Sequence, residues 1–167
     1  MPVEAVSQVS HLLKPDVVDK MIPLIQGITS GAGITRFSIK MMTEYGLYEA
    51  GYRFQSGTEE DCFKSFEQAV ARKEWIVVPL WKPQFLLYRH HIREMVEPKG
   101  LLGIVDRAVL LLRDDKKALF TPAQLAKLDR LRFSNEIIAE LDYRVRREDL
   151  CLDDVIRQWL AEHDDAS

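Results

Sequence analysis

Two periods alternate between Met21 and Trp81, and that alternation limits what this chain can fold into more than any other feature. Met21-Ile22-Pro23-Leu24-Ile25 is a short apolar run ending at Gly27. It reads as a buried strand whose early proline places its first residues at an edge. Small residues follow, Thr29-Ser30-Gly31-Ala32-Gly33, and then Phe37, Met41, Met42 and Tyr45 recur at helical spacing up to Gly46. Tyr52-Arg53-Phe54 alternates as a second strand. Thr58-Glu59-Glu60-Asp61 has the form of a capping box, and Cys62, Phe63, Phe66, Ala69 and Val70 mark one face of the helix behind it. Trp75-Ile76-Val77-Val78-Pro79-Leu80-Trp81 is a strongly apolar strand closed by Pro83. This strand-helix order predicts an α/β fold with a small, mainly parallel sheet flanked by helices.

The second half reads differently. Ala108 to Leu112 suits one more strand, and Asp114-Asp115-Lys116-Lys117 suits an exposed turn. Thr121-Pro122 with Gln124 opens a helix by the same capping logic. Apolar stripes then run through Leu125, Leu128 and Leu131, through Ile137, Ile138, Leu141 and Val145, and through Leu152, Val155, Ile156, Trp159 and Leu160. Asp153-Asp154 suits a helix N-terminus, and Asp164 to Ser167 is expected to fray. The whole of 1–167 is expected to be a single domain, with an α/β core over 20–82 and a strand plus C-terminal helices over 83–167.

Bulk chemistry removes several functions. Lys and Arg number 23 against 26 Asp and Glu, a net charge of -3, which argues against a nucleic-acid partner. No apolar run approaches the ~20 residues that span a bilayer. Cys62 and Cys151 lie too far apart for a CxxC site and do not suggest a disulfide scaffold. Met1 to His11 has neither a basic nor an apolar segment of the secretory kind, so the sequence as given carries no export signal. His90-His91 are adjacent and point apart, so with Arg89 and Arg93 they read as a solvated basic edge rather than metal ligands. Arg144, Arg146 and Arg147 read as a solvated helix face diluted by Glu140, Glu148 and Asp149. GxSxG, HExxH and any evident nucleophile-base pair are absent, so the chain is not expected to be an enzyme, and no cofactor or metal is implied.

Two segments can carry recognition. Between Gly27 and Thr35 a strand ends, small residues turn the chain, and a helix begins. Amides at such a helix start bind anions, aided by the helix dipole, while a plain tight turn is the competing reading. Gly33 is followed by Ile34-Thr35, which excludes a phosphate-binding Walker loop, and Arg36 stands where a dinucleotide fingerprint needs glycine. Trp81 ends an apolar strand, where open α/β sheets bind ligands, and its face suits a cation. A core or hinge tryptophan is the competing reading there; Trp75 and Trp159 read as packing residues.

Together these segments resemble the substrate-binding proteins of glycine betaine and related osmolyte ABC importers. The resemblance rests on Gly27-Ile28-Thr29-Ser30-Gly31-Ala32-Gly33-Ile34-Thr35, on Glu44-Tyr45-Gly46-Leu47 and on the run from Arg72 through Trp75 to Trp81-Lys82-Pro83. Pro98-Lys99-Gly100, Arg132-Phe133-Ser134 and Trp159-Leu160-Ala161-Glu162-His163 follow in order. The resemblance implies one lobe of a type II periplasmic-binding-protein-like clamshell, in which tryptophans cage a quaternary ammonium group and backbone amides hold a carboxylate. It assigns Trp81 to a cage wall, and the turn Gly31, Ala32, Gly33 and Ile34 to the amide donors. In some members this turn carries a further cage tryptophan, and here that position is Ala32.

The family receptor needs a preceding segment that carries most of one lobe and a further cage aromatic, so this sequence is expected to supply the other lobe. Its implied partners are a quaternary amine such as glycine betaine or choline, and an ABC permease or a separate first-lobe protein. The C-terminal stripe then needs a new apolar home, and a homodimer, with or without exchanged C-terminal helices, supplies one. The family is extracytoplasmic, whereas the missing signal allows a cytoplasmic location. The alternative function is a cytoplasmic interaction or regulatory protein that keeps the fold without transport.

Overall fold

The computed structural model describes residues 6–103, 105 and 107–163. A 3-10 turn at Val9–Leu13 and the short helix α1 (Pro15–Val18) lead into strand β1 (Leu24–Gln26). Then follow α2 (Gly33–Glu44), β2 (Arg53–Gln55), α3 (Glu59–Ala71) and α4 (Leu86–Arg89). The C-terminal part holds α5 (Pro122–Arg130), α6 (Asn135–Arg147) and α7 (Leu152–His163). The two strands pair in parallel, with Leu24 opposite Arg53 and Gln26 opposite Gln55, and α2 makes the crossover between them. Parallel neighbours need such a crossover, which is why the helical period of residues 33–44 separates the two strands.

Local chemistry fixes the helix ends. Helix α2 closes with Gly46 at φ +65°, the Gly46 N–H donating to Thr43 O at 3.0 Å and the Leu47 N–H to Met42 O at 2.9 Å. That pair of bonds satisfies carbonyls which the helix leaves open, and Leu47 is buried beside them. Helix α3 opens with the expected capping box: Asp61 N–H donates to Thr58 Oγ1, and Thr58 N–H donates back to Asp61 Oδ2. Thr121 and Gln124 repeat the device at α5. Asp153 and Asp154 sit in the first turn of α7, where the dipole favours them.

The apolar residues form two clusters. The first joins Val9, Leu12 and Val17 to Met21, Ile25, Met42, Tyr45, Leu47 and Tyr52. The second joins Ile28, Cys62, Phe63, Phe66, Phe85 and Leu86. Helix α6 packs on α4, and α7 packs on α6.

Several expectations are corrected. The run Trp75 to Trp81 forms only an isolated parallel bridge, Met21 to Trp75, with the Ile22 N–H donating to Trp75 O at 2.8 Å. It alternates as a strand does up to Leu80, with Trp75 and Val77 on the first cluster and Ile76, Val78 and Leu80 on the second, and the alternation ends at Trp81, which also packs on the second. A ladder does not continue, and Pro79 has no N–H to give it. Residues 108–112 form no strand; Val109, Leu110 and Leu111 are at least 70% exposed. No described strand lies beside them, and an unpaired strand leaves its backbone to water. On α2 the buried positions are Thr35, Ser38 and Met42, and Phe37 is exposed. The two hydroxyls bond Ile28 O and Ile34 O, so small polar residues fill that close contact. Val70 is exposed as well, leaving Cys62, Phe63, Phe66 and Ala69 as the buried face of α3. On α7 only Val155 is buried; Leu152, Ile156 and Leu160 are exposed. The expected fraying of Asp164 to Ser167 lies outside the described residues.

Candidate ligand-binding site

The carboxyl ends of β1 and β2 are fastened tightly. The Gly27 N–H donates to Gln55 O at 2.8 Å, and a Cβ on Gly27 would lie 2.3 Å from Phe54 Cζ. The buried Gln26 side chain donates to Gly27 O at 3.0 Å and to Gln55 O at 3.3 Å. Beyond this anchor Ile28 O accepts from the Thr35 hydroxyl at 3.3 Å and from the Gly57 N–H at 3.2 Å. The loop 29–32 is therefore a narrow turn on a fixed base, closed by the Ala32 N–H donating to Thr29 O at 3.1 Å.

Helix α2 starts at Gly33 with Ala32 as its N-cap in extended conformation, and no side chain caps it. First-turn amides have no partner inside a helix, so Gly33 and Ile34 present theirs with the positive end of the dipole. Gly31 is exposed, and a Cβ there meets nothing within 4 Å; close approach does not require glycine at this position.

Trp81 is half-buried. Its ring lies 5.9 Å from that of Phe63 at 45°, and Phe63 in turn meets Phe85 edge-on at 5.0 Å and 88°. Ala32, Ile34 and Trp81 all pack against the same buried cluster. The structure thus brings three of the five expected site residues onto one apolar patch, with Gly33 opening the helix between Ala32 and Ile34. Gly31 stays on the exposed loop outside that patch. An indole can offer a cation its π face and uncapped amides can offer an anion the helix dipole, and here both are carried by residues packed on one cluster. Phe85 is a buried member of that cluster and offers no open face, and Tyr88 is exposed against Tyr143 at 5.3 Å.

Other expectations resolve at the periphery. Trp75 is a packing residue of the first cluster with the Lys20 ammonium 5.3 Å above it. Trp159 lies between Phe133 at 5.1 Å and His163 at 4.4 Å. His90 is not a solvated edge: it meets Phe66 edge-on at 5.3 Å, and burial lowers its pKa. Among the described residues no group of three or more His, Cys, Asp or Glu could hold a metal ion, and no helix is long and apolar enough to cross a membrane.

Arg146 and Arg147 are exposed, as expected of a solvated helix face, but their charges are paired within α6 and across to α3. Arg146 reaches Asp142 at 2.7 Å and Glu59 at 3.5 Å; Arg147 reaches Glu67 at 3.1 Å and Glu60 at 3.8 Å. Glu140, Glu148 and Asp149 are not these arginines' partners. The Asp142-Arg146 spacing of four was visible in sequence. Their α3 partners stand about eighty positions earlier and gave no local signal.

Comparison with known proteins decides the family. Residues 2–162 match the family described as the substrate binding domain of ABC-type glycine betaine transport system. The chain belongs to this family. Within it, the glycine betaine/carnitine transport binding protein GbuC of Listeria monocytogenes is 21% identical over 152 residues, which are 91% of this chain and 50% of that protein. The glycine betaine, L-proline binding protein ProX of Borrelia burgdorferi superposes with a TM-score of 0.69 at 26% identity, covering 91% of this chain and 56% of that one. Lactococcal OpuAC, closed around glycine betaine, superposes with a TM-score of 0.72 at 17% identity, covering 96% of this chain and 60% of that one. The fold is accordingly the periplasmic-binding-protein-like α/β arrangement of these substrate-binding proteins. The chain spans about half the length of the curated relative it matches.

Proposed function

We propose that this chain is a substrate-binding component, or one lobe of one, for an ABC-type importer of glycine betaine or a related quaternary amine. It recognises the ligand and performs no chemistry on it. Trp81 is the wall facing the ammonium group, and the Gly33 and Ile34 amides face the carboxylate. The observation that carries this reading is that Trp81 and two residues of the uncapped α2 start, Ala32 and Ile34, pack against one buried cluster. GbuC, named for glycine betaine and carnitine, and OpuAC, complexed with glycine betaine, support the ligand class.

One exposed aromatic face is worth only ~0.5–1 kcal/mol to a cation. Ala32 adds no aromatic wall, so a tight site takes further walls from a second surface. The exposed apolar residues Val109 to Leu112 on one side, and Leu152, Ile156 and Leu160 on α7, support pairing of this kind. A homodimer is the assembly we propose, acting with an ABC permease. The regulatory alternative draws no support from the fold or the relatives.

Calorimetric titration with glycine betaine, choline and carnitine tests the receptor reading. Heat that vanishes in Trp81→Ala is the expected result; silence with all three amines rejects it. Light scattering tests the assembly, and a monodisperse monomer rejects the homodimer.

A further inference from the structure

Helix α6 touches the aromatic cluster behind Trp81 with charged side chains, and it does so at both supporting rings. Asp142 divides its carboxylate: Oδ2 accepts the Phe85 N–H at 3.2 Å, and Oδ1 accepts from Arg146 Nε at 2.7 Å. That hydrogen bond, the largest cause, raises the Arg146 pKa further above its already high ordinary value. Arg146 extends on to Glu59 of α3, and its guanidinium lies 5.9 Å from the Phe63 ring centre. Arg147 binds Glu67 of α3 at 3.1 Å, and its guanidinium lies 4.6 Å from the Phe85 ring centre. Phe63 and Phe85 are each 1% exposed and meet edge-on, and Phe63 is the ring against which Trp81 lies.

Ion pairs as exposed as these add little stability one by one. Their arrangement says more than their number. Each cation is held by acidic partners while resting on an aromatic face, and cations over ring faces are attracted to them. Asp142 meanwhile fixes the backbone at Phe85, four residues after Trp81. The segment carrying the indole is therefore gripped from α6 at Phe85, and the ring behind the indole from α6 at Phe63.

We propose that α6 is a positioning latch for Trp81, with Asp142, Arg146 and Arg147 setting the Phe63-Phe85 pair on which the indole rests. The functional meaning of the latch rests on Trp81 being the cation wall; the mechanical claim does not. Orientation of an indole is worth controlling because a π face attracts a cation and its edge does not. The latch also ties the C-terminal helices to the site, through contacts made by no residue of the turn 29–34.

The test isolates Trp81 optically. Trp75→Phe with Trp159→Phe leaves it as the sole tryptophan, and its near-ultraviolet circular dichroism and acrylamide quenching are recorded. In that background Arg147→Glu sets an anion over Phe85 and opposite Glu67. The expected result is loss of the Trp81 dichroic band and increased quenching, with the far-ultraviolet helical signal retained. Arg147→Lys keeps a cation over Phe85 and an ion pair to Glu67 and is expected to retain the band, which a purely volumetric role for Arg147 would not distinguish from Arg147→Met. An unchanged band and unchanged quenching in Arg147→Glu overturn the latch, as does an Arg147→Lys variant as disordered as Arg147→Glu. If Arg147→Glu loses its helical signal, Arg147→Met takes its place, keeping the packing on Phe85 without the charge, and the same two optical outcomes decide. These readouts use no ligand, so a silent betaine titration rejects the receptor reading and leaves the latch to be judged on its own.

Discussion

The Phe63 and Trp81 rings meet at 5.9 Å, a fully buried aromatic of α3 lying against a half-buried one from the extended segment that follows it. The two positions therefore separate stability from recognition. Phe63→Ala empties a closed core site and is expected to cost ~3–5 kcal/mol, read as a lowered midpoint in urea unfolding. Trp81→Ala removes a partly solvated ring, so it is expected to cost less stability than Phe63→Ala while abolishing any quaternary-amine heat. A Trp81→Ala variant destabilised as much as Phe63→Ala would mark Trp81 as a core residue.

The ends of α2 and α3 make a matched pair of opposite predictions. Both close with the same two hydrogen bonds, and both place the residue after the cap at positive φ: Gly46 at +65° and Lys73 at +58°. A side chain in that conformation is strained by ~1–2 kcal/mol. Gly46→Ala is expected to destabilise by about 1 kcal/mol, and Lys73→Gly to stabilise by a similar amount, less the entropy glycine adds to the unfolded chain. Thermal unfolding of the two variants in parallel shows the opposite shifts.

The capping box of α3 sets an acid-dependent contribution. Asp61 is held below the usual aspartate range, first by the Thr58 N–H and then by the Thr58 hydroxyl. A depressed folded-state pKa contributes stability that is present above the ordinary value of about 3.9 and is lost as pH falls through the lower folded value. Urea unfolding across that acid range should show a shallower acid loss in Asp61→Asn than in the parent protein. Thr58→Ala, measured at neutral pH, is expected to lower stability by ~1 kcal/mol.

The two thiols differ in reach. Cys62 is buried in the second cluster, and burial pushes its pKa up to about 11, whereas Cys151 is exposed. Thiolate is the reactive form, so a thiol reagent at neutral pH should modify Cys151 in the native protein and Cys62 only after unfolding. Modification of both at equal rates in native conditions would contradict this packing.

The residues themselves determined what depends on neighbours in sequence. The capping boxes at Thr58 and Thr121, the glycine stop at Gly46 and the small-residue turn before Gly33 follow from contacts within a few positions, and the alternation of periods gave the order of β1, α2 and β2. Tertiary structure decided what depends on distant partners. Trp75 to Trp81 has a strand's composition, yet a ladder is a property of two segments, and only Trp75 finds its partner. Residues 108–112 are apolar enough for a strand and stay exposed, because no described strand lies beside them. The sequence reads Arg146 and Arg147 as a solvated helix face, and they are exposed, but it does not name the partners that their charges meet. Arg146 and Arg147 meet theirs because packing of α6 against α4 brings Glu59 and Glu67, some eighty residues earlier, within reach. A hydrogen-bonding or charged group has no fixed role until a fold supplies its partner, and that is the part of this site the sequence left open.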